Sequence, residues 1–162
     1  MIALSKLLTL DIIKNLAKAN LLKLTVNGIS MCPLIQPGDI VSIATSESYE
    51  TPDILLYPYK NEGLLLHRLL KVNNRLFCKG DNAFRLEDIC AEDVIGKVVE
   101  LQRNGEKIYL PAIDRRAIAL SLQISEDFHK GRYDKNLAMQ QKSYQLFAAY
   151  LRKLSHEEND KK

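Results

Sequence analysis

The sequence is short of cysteine, of net charge and of long apolar runs. Its three cysteines are an odd number without CxxC spacing, so we expect no disulfide framework and a reducing compartment. The net charge is only +3, and no stretch interleaves many Lys or Arg with stacking aromatics, so nothing indicates a nucleic-acid partner. We also expect no metal and no other cofactor.

No segment has the pattern of a membrane anchor or of a secretory signal. The longest charge-free stretch, Leu24–Gly38, is interrupted by a glycine and two prolines, so it cannot be a spanning helix. The N-terminal apolar run is broken by Asp11, Lys14 and Lys18, and no small-residue cleavage site follows it. We therefore expect a cytoplasmic protein without a transmembrane segment, with peripheral contact to a membrane as an alternative.

The first 20 residues are expected to form one helix. Leu8, Ile12, Ile13 and Leu16 recur at helical spacing on one side. The simpler interpretation is that this side packs on the protein. The alternative is that the helix lies on a membrane surface, for which its mixed charge is a poor match.

Residues 21–110 carry short runs of strand-forming residues separated by turn residues. Asn104-Gly105 between two such runs is typical of a hairpin, because both residues tolerate positive φ. Many short strands without intervening helices favour an antiparallel barrel or sandwich. Seven strands are expected, at Leu21–Asn27, Asp39–Ala44, Asp53–Tyr57, Gly63–Val72, Arg75–Lys79, Val94–Gln102 and Glu106–Leu110.

The C-terminal part is expected to be helical over residues 111–155, where apolar residues again recur at helical spacing. Residues 156–162 are wholly polar, which predicts a disordered tail. The chain is thus expected to be mainly β, with one N-terminal helix and C-terminal helices, an α+β arrangement.

Candidate chemistry begins at Ser30, which follows a glycine at the expected end of a strand. A tight turn there would expose the hydroxyl and leave the serine N–H free to donate to an oxyanion. A serine in such a place is more often a simple turn residue, so it needs a base. His67 lies in an apolar strand and is the candidate, although a lone histidine there is more often a core residue.

Taken together, five segments in a fixed order carry a more specific signal. They are Gly28–Pro33, Gly38–Val41, His67-Arg68, Lys79–Asn82 and Ile95–Val99. This order resembles signal peptidase I and its relatives, in the clan that also contains self-cleaving repressors. The resemblance is to the branch in which histidine replaces the usual catalytic lysine, found in archaeal, endoplasmic-reticulum and some bacterial enzymes. It implies a partly open barrel of coiled antiparallel sheets and a serine acyl-enzyme mechanism.

The resemblance implies roles for particular residues. Ser30 would be the nucleophile and His67 its general base, since a histidine side chain can take up a proton near neutral pH. A carboxylate should hold the imidazole, and Asp81 and Asp88 are the candidates. The likeness favours Asp88 for this role and Asp81 for holding the turn.

The residues around the serine are expected to contact the substrate. Relatives often have a hydroxyl two residues before the nucleophile, where this chain has Gly28. The oxyanion hole would therefore rest on the main-chain N–H groups of Ser30 and Met31. Gly28, Ile29, Met31 and Pro33 are the expected substrate-binding residues.

These features predict an endopeptidase that removes a leader or signal-like segment from a peptide or protein. One alternative is a catalytically silent domain that binds an extended peptide by adding it to a sheet edge. A self-cleaving regulator is a weaker alternative, because such repressors use a lysine where this chain has His67. A DNA-binding domain would also have to precede the serine, and only 29 residues do so here.

Overall fold

The computed structural model describes residues 2–60, 63–131 and 136–159. Three helices and eight strands make up the described chain, together with a short 3₁₀ turn at Ala91–Asp93. The helices are α1 (Ile2–Lys18), α2 (Arg115–His129) and α3 (Asn136–Asn159). The strands are β1 (Leu22–Thr25), β2 (Ile40–Ala44), β3 (Ile54–Pro58), β4 (Leu64–Val72), β5 (Leu76–Lys79), β6 (Glu87–Ile89), β7 (Gly96–Arg103) and β8 (Glu106–Ile108).

The strands form one antiparallel sheet that curls into a half-barrel. The strand order is β1-β2-β7-β3-β4-β5-β6, and β8 lies off this path, paired to the end of β7 at Leu101–Arg103. The register shifts once in β2, between Ser42 and Ile43, and once in the β4–β5 pair, between Leu69 and Lys71. Such irregularities increase the local twist and help a sheet to curl. The expected mainly β, α+β class is confirmed.

The central strand β3 is covered on both faces, which explains its continuous apolar sequence. Ile54 and Leu56 belong to one buried cluster together with Met31 and residues of α1, β2 and β7. Leu55 and Tyr57 point to the other face, into a cluster with β5 and β6. Successive residues of a strand face opposite sides, so one short strand contributes to two cores.

The helix α1 forms as expected but presents a different face to the protein. Ala17 is buried, and Leu10 and Ile13 pack against the first cluster. Ile12 is 60% exposed and Leu16 37% exposed, so the expectation that they pack inward is wrong. The side chain of Leu8 lies outside the described residues. The strip that meets the sheet follows i, i+3 and i+7 from Leu10, so it shares only Ile13 with the strip predicted from apolar content.

The C-terminal helices pack on the half-barrel through a third cluster, in which Leu34, Ile113, Ala117 and Phe147 are buried. The expected disordered tail at 156–162 is wrong in its first half, because α3 continues to Asn159. The last three residues lie outside the described range. None of the helices within that range is long and apolar enough to span a bilayer.

Candidate active site

Ser30 lies in the turn that follows β1, with its main chain held by a second turn. That second turn, Gly80–Ala83, follows β5 and is called the supporting turn below. The N–H of Asn82 donates to the Ser30 carbonyl at 2.8 Å, and the Asn82 side-chain amide donates to the Ile29 carbonyl at 3.2 Å. The two turns are therefore joined by a main-chain bond directly at the serine.

Gly80 allows this close approach. A Cβ at position 80 would lie 2.6 Å from the Ser30 carbonyl oxygen and 3.1 Å from Nε2 of His67. The first distance is shorter than real Cβ contacts allow. Only glycine fits where two backbones meet so closely.

His67 lies in β4 with its ring against the serine hydroxyl. Nε2 is 3.1 Å from Oγ of Ser30, within hydrogen-bond distance. The histidine is 5% exposed, while Ser30 is half-buried and open to the surface. The expected juxtaposition of these two residues is thus present in the fold, from segments 37 positions apart.

The other nitrogen of the ring faces a carboxylate that the sequence analysis did not choose. Nδ1 of His67 is 2.8 Å from Oε2 of Glu87, and Glu87 is 1% exposed. A carboxylate on Nδ1 favours the tautomer with a proton there, which leaves Nε2 free to accept the serine proton. The three side chains form a continuous serine–histidine–carboxylate arrangement.

The expectation that Asp88 orients His67 is wrong. Asp88 is the neighbour of Glu87 in β6, and successive residues of a strand point to opposite faces. Glu87 therefore faces inward to the histidine, whereas Asp88 faces solvent and pairs with Arg75. The alternation along β6 therefore brings Glu87 to the histidine, one residue before the position implied by the resemblance.

Asp81 does not contact the histidine either. Its carboxylate is buried and accepts two hydrogen bonds from Arg68, from Nε and from an Nη, each at 2.8 Å. Arg68 directly follows His67, so this pair fixes β4 to the supporting turn. That contact agrees with the second role expected for Asp81, holding the turn.

Glu87 is itself held by two other side chains. The Tyr57 hydroxyl donates to Oε2 at 3.1 Å, and Arg85 donates to Oε1 at 3.2 Å. Burial, with the charge of Glu87 and the nearby thiol of Cys78 adding to it, raises the pKa of Tyr57 far above its usual value. Tyr57 therefore stays a neutral donor. Neither Glu87 nor Tyr57 was predicted from the sequence, because β3 is a continuous apolar run and β6 has only three residues, so neither strand shows an alternating pattern.

A cleft of about 350 Å³ leads to Ser30. One wall is formed by Leu24–Gly28 and the other by Leu64–Leu66, with Val41, Leu56 and Met31 also lining it. Much of its surface is aliphatic. Gly28 and Met31 thus lie at the cleft as expected, Met31 with a largely buried side chain.

Of the other two residues expected to contact the substrate, one is exposed and one is buried. Ile29 is 58% exposed beside the serine, where a bound chain could reach it. Pro33 is buried and does not line the cleft. Within the described residues, no hydrogen bond uses the main-chain N–H of Ser30 or Met31. Those two groups were the expected oxyanion donors.

Comparison with known proteins adds no family to this geometry. No known family model matches the chain, and no curated protein matches its sequence.

Proposed function

We propose that this protein is a serine endopeptidase that cleaves a leader or signal-like segment of a peptide or protein. The observation that carries the proposal is the chain of contacts from Oγ of Ser30 to Nε2 of His67 and from Nδ1 to Glu87. A serine hydroxyl is a weak nucleophile until a positioned base takes its proton. Here the base is positioned by a buried acid, and the hydroxyl opens onto a cleft.

The reaction follows from these positions. As Oγ of Ser30 bonds to the scissile carbonyl carbon, its proton passes to Nε2 of His67, and Glu87 stabilises the imidazolium. The negative oxygen of the intermediate would be met by the N–H groups of Ser30 and Met31. His67 returns the proton to the leaving amine as the C–N bond breaks. A water molecule, deprotonated by His67, then hydrolyses the ester and frees Ser30.

The cleft walls favour an extended peptide as the substrate. The strand β1 is at one end of the sheet path and pairs with β2 alone. Among the described strands, Leu64–His67 of β4 pair only with β3, because pairing with β5 starts at Arg68. Both walls therefore offer unpaired main-chain groups, to which an extended chain could add as a strand. Such a segment would pass Ser30 at the end of the cleft.

The partner in this proposal is thus a peptide or protein, and the free thiols of Cys32, Cys78 and Cys90 suit the cytoplasm. Peripheral contact with a membrane surface is compatible with the exposed Ile12 and Leu16 on α1. Neither statement is needed for the chemistry at Ser30.

The test is cleavage of a mixed library of unstructured peptides, with new termini identified by mass spectrometry. The wild-type protein should produce a consistent set of new termini at pH 7–8. Ser30→Ala should lower the rate by at least about 10³-fold, since removal of a catalytic serine costs that much or more. Ser48→Ala, an exposed serine in a loop, is the matched control and should cleave normally.

Two results would contradict the proposal. Equal cleavage by the wild type and by Ser30→Ala would mean that the activity belongs to another residue or to a contaminant. Peptides that bind the wild type but are never cut would favour the silent binding domain instead.

A further inference from the structure

One buried amine lies beside the active site without touching the reacting groups. Lys79, the last residue of β5, is 1% exposed. Its Nζ donates to the Gly80 carbonyl at 3.1 Å, to the Ala83 carbonyl at 2.6 Å and to the Ser143 hydroxyl at 3.0 Å. Three oxygen acceptors match the three N–H donors of an ammonium group. Two of them belong to the supporting turn and the third to α3.

Ser143 completes the connection from the helix side. It is fully buried, and its Oγ lies 2.6 Å from the Asp81 carbonyl and 3.2 Å from the Ala83 carbonyl, with the shorter contact better suited to its single proton. The hydroxyl thus accepts from Lys79 and donates to the turn. One side chain of α3 therefore bonds directly to the turn that holds Ser30.

A second contact runs in parallel. The Arg68 guanidinium, which holds Asp81, lies over the ring of Phe147 with its central carbon 5.3 Å from the ring centroid. Phe147 is one turn further along α3 from Ser143 and is fully buried. The helix therefore covers both the turn and the ion pair that joins the turn to β4.

We infer that α3 is a positioning element of the active site, acting through Ser143 and Lys79 on the supporting turn and through that turn on Ser30. The path is short: Ser143 bonds the Asp81 carbonyl, and the next residue, Asn82, bonds the Ser30 carbonyl. At Gly80 the turn lies so close to Ser30 and His67 that even a Cβ would not fit, and the Asn82 N–H bonds the Ser30 carbonyl. A shift of the turn therefore either displaces these residues or breaks that bond. The catalytic consequence rests on the proposed function, whereas the positioning itself does not.

The structural part is tested by hydrogen exchange of the Asn82 amide, which reports whether the bond to Ser30 opens. Ser143→Ala removes the hydroxyl, so the Lys79 ammonium loses one acceptor and the Asp81 carbonyl loses the Ser143 donor. We expect exchange at Asn82 to rise about tenfold or more, with little change at amides in the centre of β7. Ser143→Cys, which keeps the shape and a weaker donor, should give an intermediate rate and serves if the alanine variant does not fold.

The control is another buried helix serine. Ser125 on α2 is 1% exposed, and within the described residues its hydroxyl has no hydrogen-bond partner. Ser125→Ala should leave exchange at Asn82 unchanged. A rise at Asn82 that is matched throughout β7 in Ser143→Ala would reflect global unfolding and would overturn the inference, as would no rise at all.

The catalytic part is tested with a fluorophosphonate, which bonds an activated serine oxygen to phosphorus as fluoride leaves and the proton passes to the base. Labelling of Ser30, followed by mass spectrometry, should be about tenfold slower or more in Ser143→Ala and normal in Ser125→Ala. Normal labelling in Ser143→Ala would overturn the catalytic consequence. If wild-type Ser30 is not labelled at all, the proposed function fails, while exchange at Asn82 still decides whether α3 holds the turn.

Discussion

At the scale of single residues, the choice between Glu87 and Asp88 shows what a strand does to neighbouring carboxylates. The two differ by one position in β6, yet Glu87 is buried against His67 and Asp88 is paired with Arg75 at the surface. Position 88 was expected from the resemblance, whose spacing is not identical here. The alternation of side chains along β6 buries Glu87 and exposes Asp88. Because β6 has only three residues, this alternation cannot be recognised in the sequence.

These neighbours also form a matched pair for mutation. Glu87→Gln keeps the shape but removes the charge that stabilises the imidazolium, so cleavage should fall roughly 10²- to 10⁴-fold. Asp88→Asn should change the rate by less than about twofold, because an exposed ion pair contributes little. The measurement is the cleavage rate on one peptide from the library, with melting curves to show that both variants are folded. A larger loss for Asp88→Asn would return the orienting role to that residue.

At the scale of elements, the junction between β5 and α3 contains a buried ionisable group, the amine of Lys79. Burial lowers the pKa of Lys79 to about 8, against a smaller opposing effect of the carboxylates Asp81 and Glu87. The folded state therefore loses this proton at lower pH than the unfolded chain does. Between pH 8 and about 10.4 the unfolded chain binds more protons, so the contribution of Lys79 to the free energy of unfolding rises with pH.

The corresponding prediction concerns the difference between the wild type and Lys79→Met. From pH 8 to pH 10, the wild-type free energy of unfolding should rise relative to the variant by about 2 kcal/mol. The comparison is needed because the pKa values of Tyr57 and Cys78 are raised by burial, which lowers stability at alkaline pH in both proteins. Urea unfolding at each pH gives the two curves. A constant difference across this range would show that the amine titrates normally in the folded protein.

The helices illustrate a different limit of sequence reasoning. Apolar periodicity correctly placed α1 and the inward side of Ile13, but it also selected Ile12 and Leu16, which are exposed, and passed over Ala17, which is buried. A helix with apolar residues on more than one side can dock in several rotations, and the partner surface decides which. The small side chain of Ala17 allows close contact with β1 and β2, and a hydropathy pattern gives such a residue little weight.

At the scale of the whole molecule, local patterns located seven of the eight described strands to within a few residues, because turn residues mark their ends, and missed only β6. The same patterns placed Ser30 and His67 in separate strands or turns without stating their distance. Their contact depends on the curl of the sheet and on the supporting turn, which no local pattern describes. The contributions of α3 through Ser143, and of Tyr57 through Glu87, are equally long-range and were not foreseen.

The active site is assembled from elements that are far apart in the sequence. The three central side chains come from the turn after β1, from β4 and from β6, and α3 covers the turn that joins them. We therefore expect the site to form only when β4, β6, α3 and the turn after β1 are folded together.

If Ser30 is the nucleophile, it becomes covalently acylated during cleavage, and this acyl-enzyme can be trapped. The wild-type protein is mixed with a peptide it cleaves, quenched with acid within the first turnovers, digested and analysed by mass spectrometry. We expect the fragment containing Ser30 to carry the acyl half of the peptide, joined with loss of the leaving amine, and we expect no such adduct in Ser30→Ala. Cleavage that continues in Ser30→Ala, or an acyl group found on another side chain of the wild type, would contradict this role of Ser30.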